Sequence, residues 1–280
     1  MDVEAVLFPR TNIPRMGIAP MTSMFWYSET NHMQSRDWRP EIHDSDGLVI
    51  WTGAGERIWR PINNPLFVQT SSFFDKNPKG FGLLQRDRNF ENYQDTGTFY
   101  DRRPSLWVEP LEPWGEGAVQ LVEIPSDSEV DDNIVAYWVP QAPVQASSTW
   151  TFKYRLHWIA EEPYPAHLAR VIATRLGTGG VAGIKPPPNK SRIVIDFAGG
   201  PLESLDEKAP VQLVLNVTSG KIENETVLQL EGTKRWRAFF DIEAENLNPV
   251  DIRAYLRLGE QALTETWLYQ YLPYYRTLLG

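Results

Sequence analysis

The chain has 280 residues, 42% of them apolar and 22% charged, with a net charge of −9 and no cysteine. That balance predicts a packed globular protein of one large or two ordinary domains. It excludes disulfides, thiolate zinc sites and cysteine nucleophiles, and the absence of any Lys/Arg-rich run argues against nucleic acid as a partner.

Residues 1–10 read as a strand already under way. They have neither a basic n-region nor an apolar h-region, so they do not form a secretory signal; the expectation is a cytoplasmic protein or one whose front is missing. No apolar run reaches the ~18 residues of a membrane span. Through about residue 160, short runs rich in Val, Ile, Trp, Tyr and Phe alternate with Gly, Pro, Asn and Asp. They predict strands over 47–52, 66–70, 80–85, 105–109, 118–124 and 134–139, and a long alternating strand over 150–159. Nine of the eleven tryptophans lie in this part, which sets it apart as a unit with a wide aromatic surface or core.

Residues 161–189 read as a linker with a short helix. Leu168, Val171, Ile172 and Leu176 fall roughly on one helical face within 165–176. The glycines of 177–183 and the prolines of 186–188 then read as linker. With no strand feeding those glycines and no helix following, they are not a phosphate loop. Residues 190–280 carry candidate strands over 192–197, 211–217, 226–230, 235–242, 252–258 and 264–271. This spacing predicts an immunoglobulin-like sandwich. The fold class expected is all-β: a larger strand-rich unit over 1–160 and a smaller immunoglobulin-like sandwich over 190–280.

The chemistry-bearing segments lie at the front. Arg39-Pro-Glu-Ile-His-Asp-Ser-Asp-Gly-Leu48 and Gly55-Glu-Arg-Ile-Trp-Arg-Pro-Ile-Asn-Asn-Pro65 mix acids, a histidine, arginines, asparagines and a tryptophan between apolar runs. Aromatic faces beside Asp, Asn and Arg suit a sugar, whose C–H faces stack and whose hydroxyls bond. Glycoside hydrolysis needs a carboxylic acid for the leaving oxygen and a second carboxylate for water or direct attack. Candidates are Asp44 and Asp46, Asp87, Asp95 and Asp101, and the pair Asp131–Asp132. Each has a plain structural alternative: an Asx turn, an ion-pair network beside arginines, or a turn ahead of a strand. Trp59, Trp107, Trp114 and Trp138 are either core or sugar platforms. The four histidines show no metal-ligand spacing, and no metal or cofactor is expected.

The same blocks resemble the OpgG/OpgD (MdoG/MdoD) family of osmoregulated periplasmic glucan synthesis. The likeness runs through Gly17–Phe25, Arg39–Leu48, Trp59–Pro65, Gly80–Arg86, Tyr100–Val108 and Asp132–Trp138, and covers the chain more weakly after about residue 165. It implies a large β-sandwich, incomplete here, joined to an immunoglobulin-like domain. It implies a periplasmic location, a β-glucan polysaccharide as ligand and the membrane glucan synthase as a candidate partner. It also implies inverting hydrolysis of β-1,2-glucan, with a non-catalytic glucan-binding module as the alternative. On that resemblance Asp132 would be the general acid and Asp44 the base, acting on water through a relay. Tyr100 would lie in the cleft, with Trp59 and Arg60 as substrate contacts, and Asp46 would be less essential. Relatives would carry a signal peptide and roughly half of the large domain ahead of this point.

Overall fold

The computed structural model describes residues 1–32, 37–164, 166–181, 183–185, 187 and 189–273. The chain divides into two compact units. The first comprises Met1–Trp26, Ile42–Ile58 and Ile62–Tyr164; the second comprises Tyr27–Glu41, Trp59–Pro61 and Pro165–Gly280.

The strands of the front half are β1 (Asp2–Leu7), β2 (Ile18–Ser23), β3 (Phe25–Tyr27), β4 (Ile42–His43), β5 (Gly47–Trp51), β6 (Arg57–Pro61), β7 (Gln69–Lys76), β8 (Gly80–Leu84), β9 (Ser105–Pro110), β10 (Glu116–Glu123), β11 (Ile134–Pro140) and β12 (Trp150–Ile159). In the first unit one sheet runs β1-β12-β9-β8-β5 and another runs β2-β11-β10-β7, while β3 pairs β4. Alternation along β11 buries Ile134, Ala136, Trp138 and Pro140 on one face, the period-2 pattern of a half-buried strand. Trp114 ties the two sheets together. Its ring lies 6.2 Å from Trp138 of β11, 5.7 Å from Phe152 of β12 and 6.3 Å from Phe81 of β8. Two glycines make room for this core. A Cβ on Gly80 would stand 2.2 Å from the Trp107 ring, and one on Gly117 would stand 2.4 Å from Trp138. Trp107, Trp114 and Trp138 are thus core, not sugar platforms.

The second unit adds β13 (Arg170–Thr178), β14 (Lys190–Ala198), β15 (Gln212–Val217), β16 (Lys221–Gln229), β17 (Trp236–Glu243), β18 (Val250–Leu258), β19 (Gln261–Ala262) and β20 (Thr266–Tyr271). One sheet runs β13-β14-β17-β16; the other runs β20-β18-β15, with β19 on β18. Counted in chain order, the seven main strands place the first, second, fifth and fourth in one sheet and the seventh, sixth and third in the other. That is the immunoglobulin constant-type arrangement. Trp267 Nε1 donates to Thr174 Oγ1 at 3.0 Å, and the Ser191 and Tyr271 hydroxyls meet at 2.8 Å, joining the sheets through a core of Ile193, Ile195, Phe197, Phe240, Ile252 and Leu256.

The helix expected in 165–176 is not there: β13 occupies its second half, and this sandwich begins with that strand and not at residue 190. The register of β13 against β14 shifts between Val171 and Ala173. This bulge puts Val171 and Thr174 inward, three residues apart, and so imitates helical spacing. The glycine stretch that follows is tied down in part, because Gly180 N–H donates to Asp241 at 3.0 Å. The proline stretch 186–188 falls largely outside the described residues.

Candidate active site

The His43–Asp46 turn joins β4 to β5 and is held by its backbone. Asp44 N–H donates to Met24 O at 2.9 Å, and Asp46 N–H to Leu84 O at 3.0 Å. Ser23 donates its hydroxyl to Ser45 Oγ at 2.9 Å. Asp46 serves the turn itself. Both its oxygens accept Arg86 N–H at 3.1 Å, and one accepts Asp87 N–H at 2.9 Å. Burial nevertheless pushes its carboxyl up to about 6, against the lowering effect of His43 and these bonds.

Asp44 is half-buried and carries no such backbone clamp on its side chain. Arg103 Nε stands 3.2 Å from Asp44 Oδ1, at an angle outside hydrogen-bond geometry for either atom. Burial raises the Asp44 carboxyl above the usual range; Arg103 and then His43 pull it down, and the charge of Asp132 pushes it up. Asp44 and Asp132, 88 positions apart in sequence, therefore lie within electrostatic reach of each other.

Asp132 is exposed, immediately ahead of β11. Its neighbour Asn133 is buried and fully used. The Asn133 oxygen accepts Phe25 N–H at 2.8 Å, and its nitrogen donates to Phe25 O and Ile124 O at 2.9 Å each. Met24 thus anchors Asp44, and the adjacent Phe25 anchors the residue beside Asp132. The loop before Asp132 is pinned by Asn64, which accepts Ser126 N–H at 3.0 Å and donates to Ser126 O and to Trp26 O. Asp131 accepts the Ser126 hydroxyl at 2.9 Å.

Tyr100 opens a 3-10 turn, Tyr100–Arg102, after Phe99 at a left-handed φ of 53°. The tyrosine is 2% exposed and donates its hydroxyl to Glu129 Oε2 at 2.7 Å. Burial and that bond raise the phenol pKa. Arg103 lies over the Tyr100 ring, 5.4 Å from its centroid.

The structure therefore brings Asp44, Tyr100 and Asp132 into one neighbourhood with Arg103 and Glu129. Trp59 and Arg60 are both buried in β6, at 4% and 2% exposure, and group with the second unit. Arg60 donates to the Pro61 carbonyl. Asp87 and Asp95 cap turns, accepting Asn89 N–H and the N–H groups of Gly97 and Thr98, while Asp101 faces Arg102 at 3.4 Å. Sequence reasoning missed Glu129, which sits in a polar loop with no periodic signal. It also missed Gln85, which lay inside the Gly80–Arg86 block without looking chemical.

The sequence profile described as "Periplasmic glucan biosynthesis protein, MdoG" matches residues 1–271. The chain belongs to this family. Among curated relatives, Glucans biosynthesis protein D 2 of Ralstonia nicotianae is 55% identical over 276 residues, covering 98% of this chain and 51% of that protein. Glucans biosynthesis protein D of Xanthomonas oryzae pv. oryzae is 51% identical over 277 residues, covering 98% and 52%. The protein of the same name from Stenotrophomonas maltophilia is 50% identical over 275 residues, again covering 98% and 52%. The chain thus spans about half the length of these relatives. The family is periplasmic, and among the described residues no helix is long and apolar enough to cross a membrane.

Proposed function

We propose that this chain carries the acid–base pair of an inverting β-1,2-glucan hydrolase that acts during synthesis of osmoregulated periplasmic glucans. The observation that supports it most is the anchoring of Asp44 and the Asp132 loop on the consecutive residues Met24 and Phe25. An inverting pair needs two carboxyl groups held apart with room for water between them. In this reading Asp132 protonates the glycosidic oxygen, and its exposed position gives the leaving sugar access. Asp44 accepts the proton of the attacking water through a relay, with Arg103 opposing the upward push of burial on its carboxyl. Tyr100, fixed by Glu129, lines the sugar site. The membrane glucan synthase would be the partner that supplies nascent glucan.

The test is cleavage of linear β-1,2-glucan, read by anion-exchange chromatography of the products. Wild type is expected to shorten the polymer with inversion, and Asp132→Asn to lose at least about 100-fold in rate. A substrate with an activated leaving group needs no acid, so it should recover Asp132→Asn but not Asp44→Asn. Full activity of Asp132→Asn on the natural polymer would sink the acid assignment. Glucan retention in affinity electrophoresis without cleavage would instead favour a non-catalytic glucan-binding or synthase-associated role.

A further inference from the structure

Gln85 follows β8, is 1% exposed, and joins three segments of the first unit through one side chain. Its nitrogen donates to His43 O at 2.9 Å and to Tyr100 O at 3.1 Å. Its oxygen lies 2.9 Å from His43 Nδ1. Its own backbone N–H donates to Ser105 Oγ at 3.0 Å. An amide whose two N–H groups are committed to carbonyls has only its oxygen left to offer, so His43 Nδ1 must carry the hydrogen. The neutral ring is then held as the Nδ1–H tautomer, with its lone pair on Nε2.

The ring has little freedom to do otherwise. Phe25 stacks on it at 5.5 Å with 23° between planes, and Tyr93 meets it edge-on at 5.2 Å. Asp44 and Asp46, on its own turn, both lie within electrostatic reach of the ring. The same amide links the carbonyl immediately before Asp44 to the carbonyl of Tyr100, whose turn leads to Arg103. Gln85 thus sets the spacing between the carboxylate and the arginine and tyrosine that face it.

We propose that Gln85 is a positioning residue of this site: it locks the His43 tautomer and fixes the Asp44 turn against the Tyr100–Arg103 turn. This rests on reading Asp44 as a working carboxylate. It asks nothing of Gln85 as a group touching sugar, so its loss should lower kcat and leave KM nearly unchanged.

The experiment has two arms. Long-range 1H–15N NMR of wild type, with His43 assigned by the cross-peaks lost in His43→Gln, reads the tautomer directly. Hydrolysis of linear β-1,2-glucan gives kcat and KM for wild type, Gln85→Met and Gln85→Glu. The expected result is Nδ1–H in wild type, a mixed tautomer with kcat down about tenfold or more in Gln85→Met, and KM within about twofold. Gln85→Glu keeps an acceptor for Nδ1–H, so it should restore the tautomer and recover part of kcat. An Nε2–H tautomer in wild type, or an unchanged kcat in Gln85→Met, overturns the proposal. If wild type cleaves nothing, the glucanase reading fails, while the NMR arm still decides the tautomer on its own.

Discussion

Removing the Asn133 side chain tests whether a buried amide, and not the acids themselves, builds the site. Asn133→Ala deletes three hydrogen bonds and leaves Phe25 N–H, Phe25 O and Ile124 O without them in a site where Asn133 is only 3% exposed. Each orphaned buried group costs about 1–3 kcal/mol, and local relaxation recovers part of it, so a loss of about 3–5 kcal/mol is expected. Against a typical stability of roughly 5–15 kcal/mol the protein should still fold. Urea denaturation followed by tryptophan fluorescence would show the midpoint falling at nearly constant slope. Asn133→Asp sharpens the test. It keeps the acceptor for Phe25 N–H but turns a carboxylate towards two carbonyl oxygens, so its folded pKa must lie above the unfolded value of about 3.9. Its deficit should therefore be small below about pH 4 and grow as pH rises through the folded pKa. A loss under about 1 kcal/mol for Asn133→Ala, or a deficit in Asn133→Asp that ignores pH, would refute the reasoning.

Three further outcomes follow from the packing. Glu162 is 8% exposed and bridges Arg57 at 3.0 Å and Arg86 at 3.1 Å; Glu162→Gln removes the negative charge that two poorly solvated guanidinium groups share and should cost about 3 kcal/mol, read as a fall in Tm by calorimetry. Gly80→Ala puts a methyl 2.2 Å from the fully buried Trp107, and overpacking of about 3 kcal/mol should appear in the same scan, whereas Gly115→Ala, with nothing within 4 Å of its Cβ position, should show only the smaller strain of its positive φ. In the second unit, Glu29 accepts Thr174 N–H at 3.0 Å, and burial, reinforced by Glu41, pushes its carboxyl from 4.5 up to about 8. A raised carboxyl contributes stability that is present below pH 4.5 and lost as pH rises to about 8. Glu29→Gln cannot titrate, so its Tm relative to wild type should climb across that window and level off above it; a flat difference would show that the carboxyl is not raised.

Strand content and the sandwich class were legible because period-2 burial is local. Tryptophan density marked a real core: Trp107, Trp114 and Trp138 fill the first unit, although nothing in their spacing could say whether they faced sugar or each other. The first strand of the second sandwich was misread because the bulge after Val171 breaks the alternation that identifies a strand. The acids were legible as candidates, and the resemblance picked out Asp44, Tyr100 and Asp132. Their neighbourhood was not legible, since it depends on strand pairings between residues tens to more than a hundred positions apart. The asparagines that looked like sugar ligands illustrate the limit. Asn64 pins the loop ahead of Asp132, a role that depends on one backbone 62 positions away.

The distribution of charge and burial explains why amides hold this site together. A carboxylate that must gain or lose a proton needs access to water or substrate, and a fully buried one is driven neutral. Asp132 is exposed and Asp44 half-buried, so neither can also be the rigid part of the frame. The rigid part must be buried, polar enough to satisfy loop backbone, and indifferent to pH. An amide meets all three conditions, since it donates and accepts without titrating. Asn133 and Gln85 are both nearly inaccessible, at 3% and 1% exposure, and both direct their nitrogens at two backbone carbonyls and their oxygen at one donor. Replacing either with its acid keeps the shape but removes the donors, so chemically conservative changes at these two buried positions should disturb the turns they hold more than many substitutions of exposed residues.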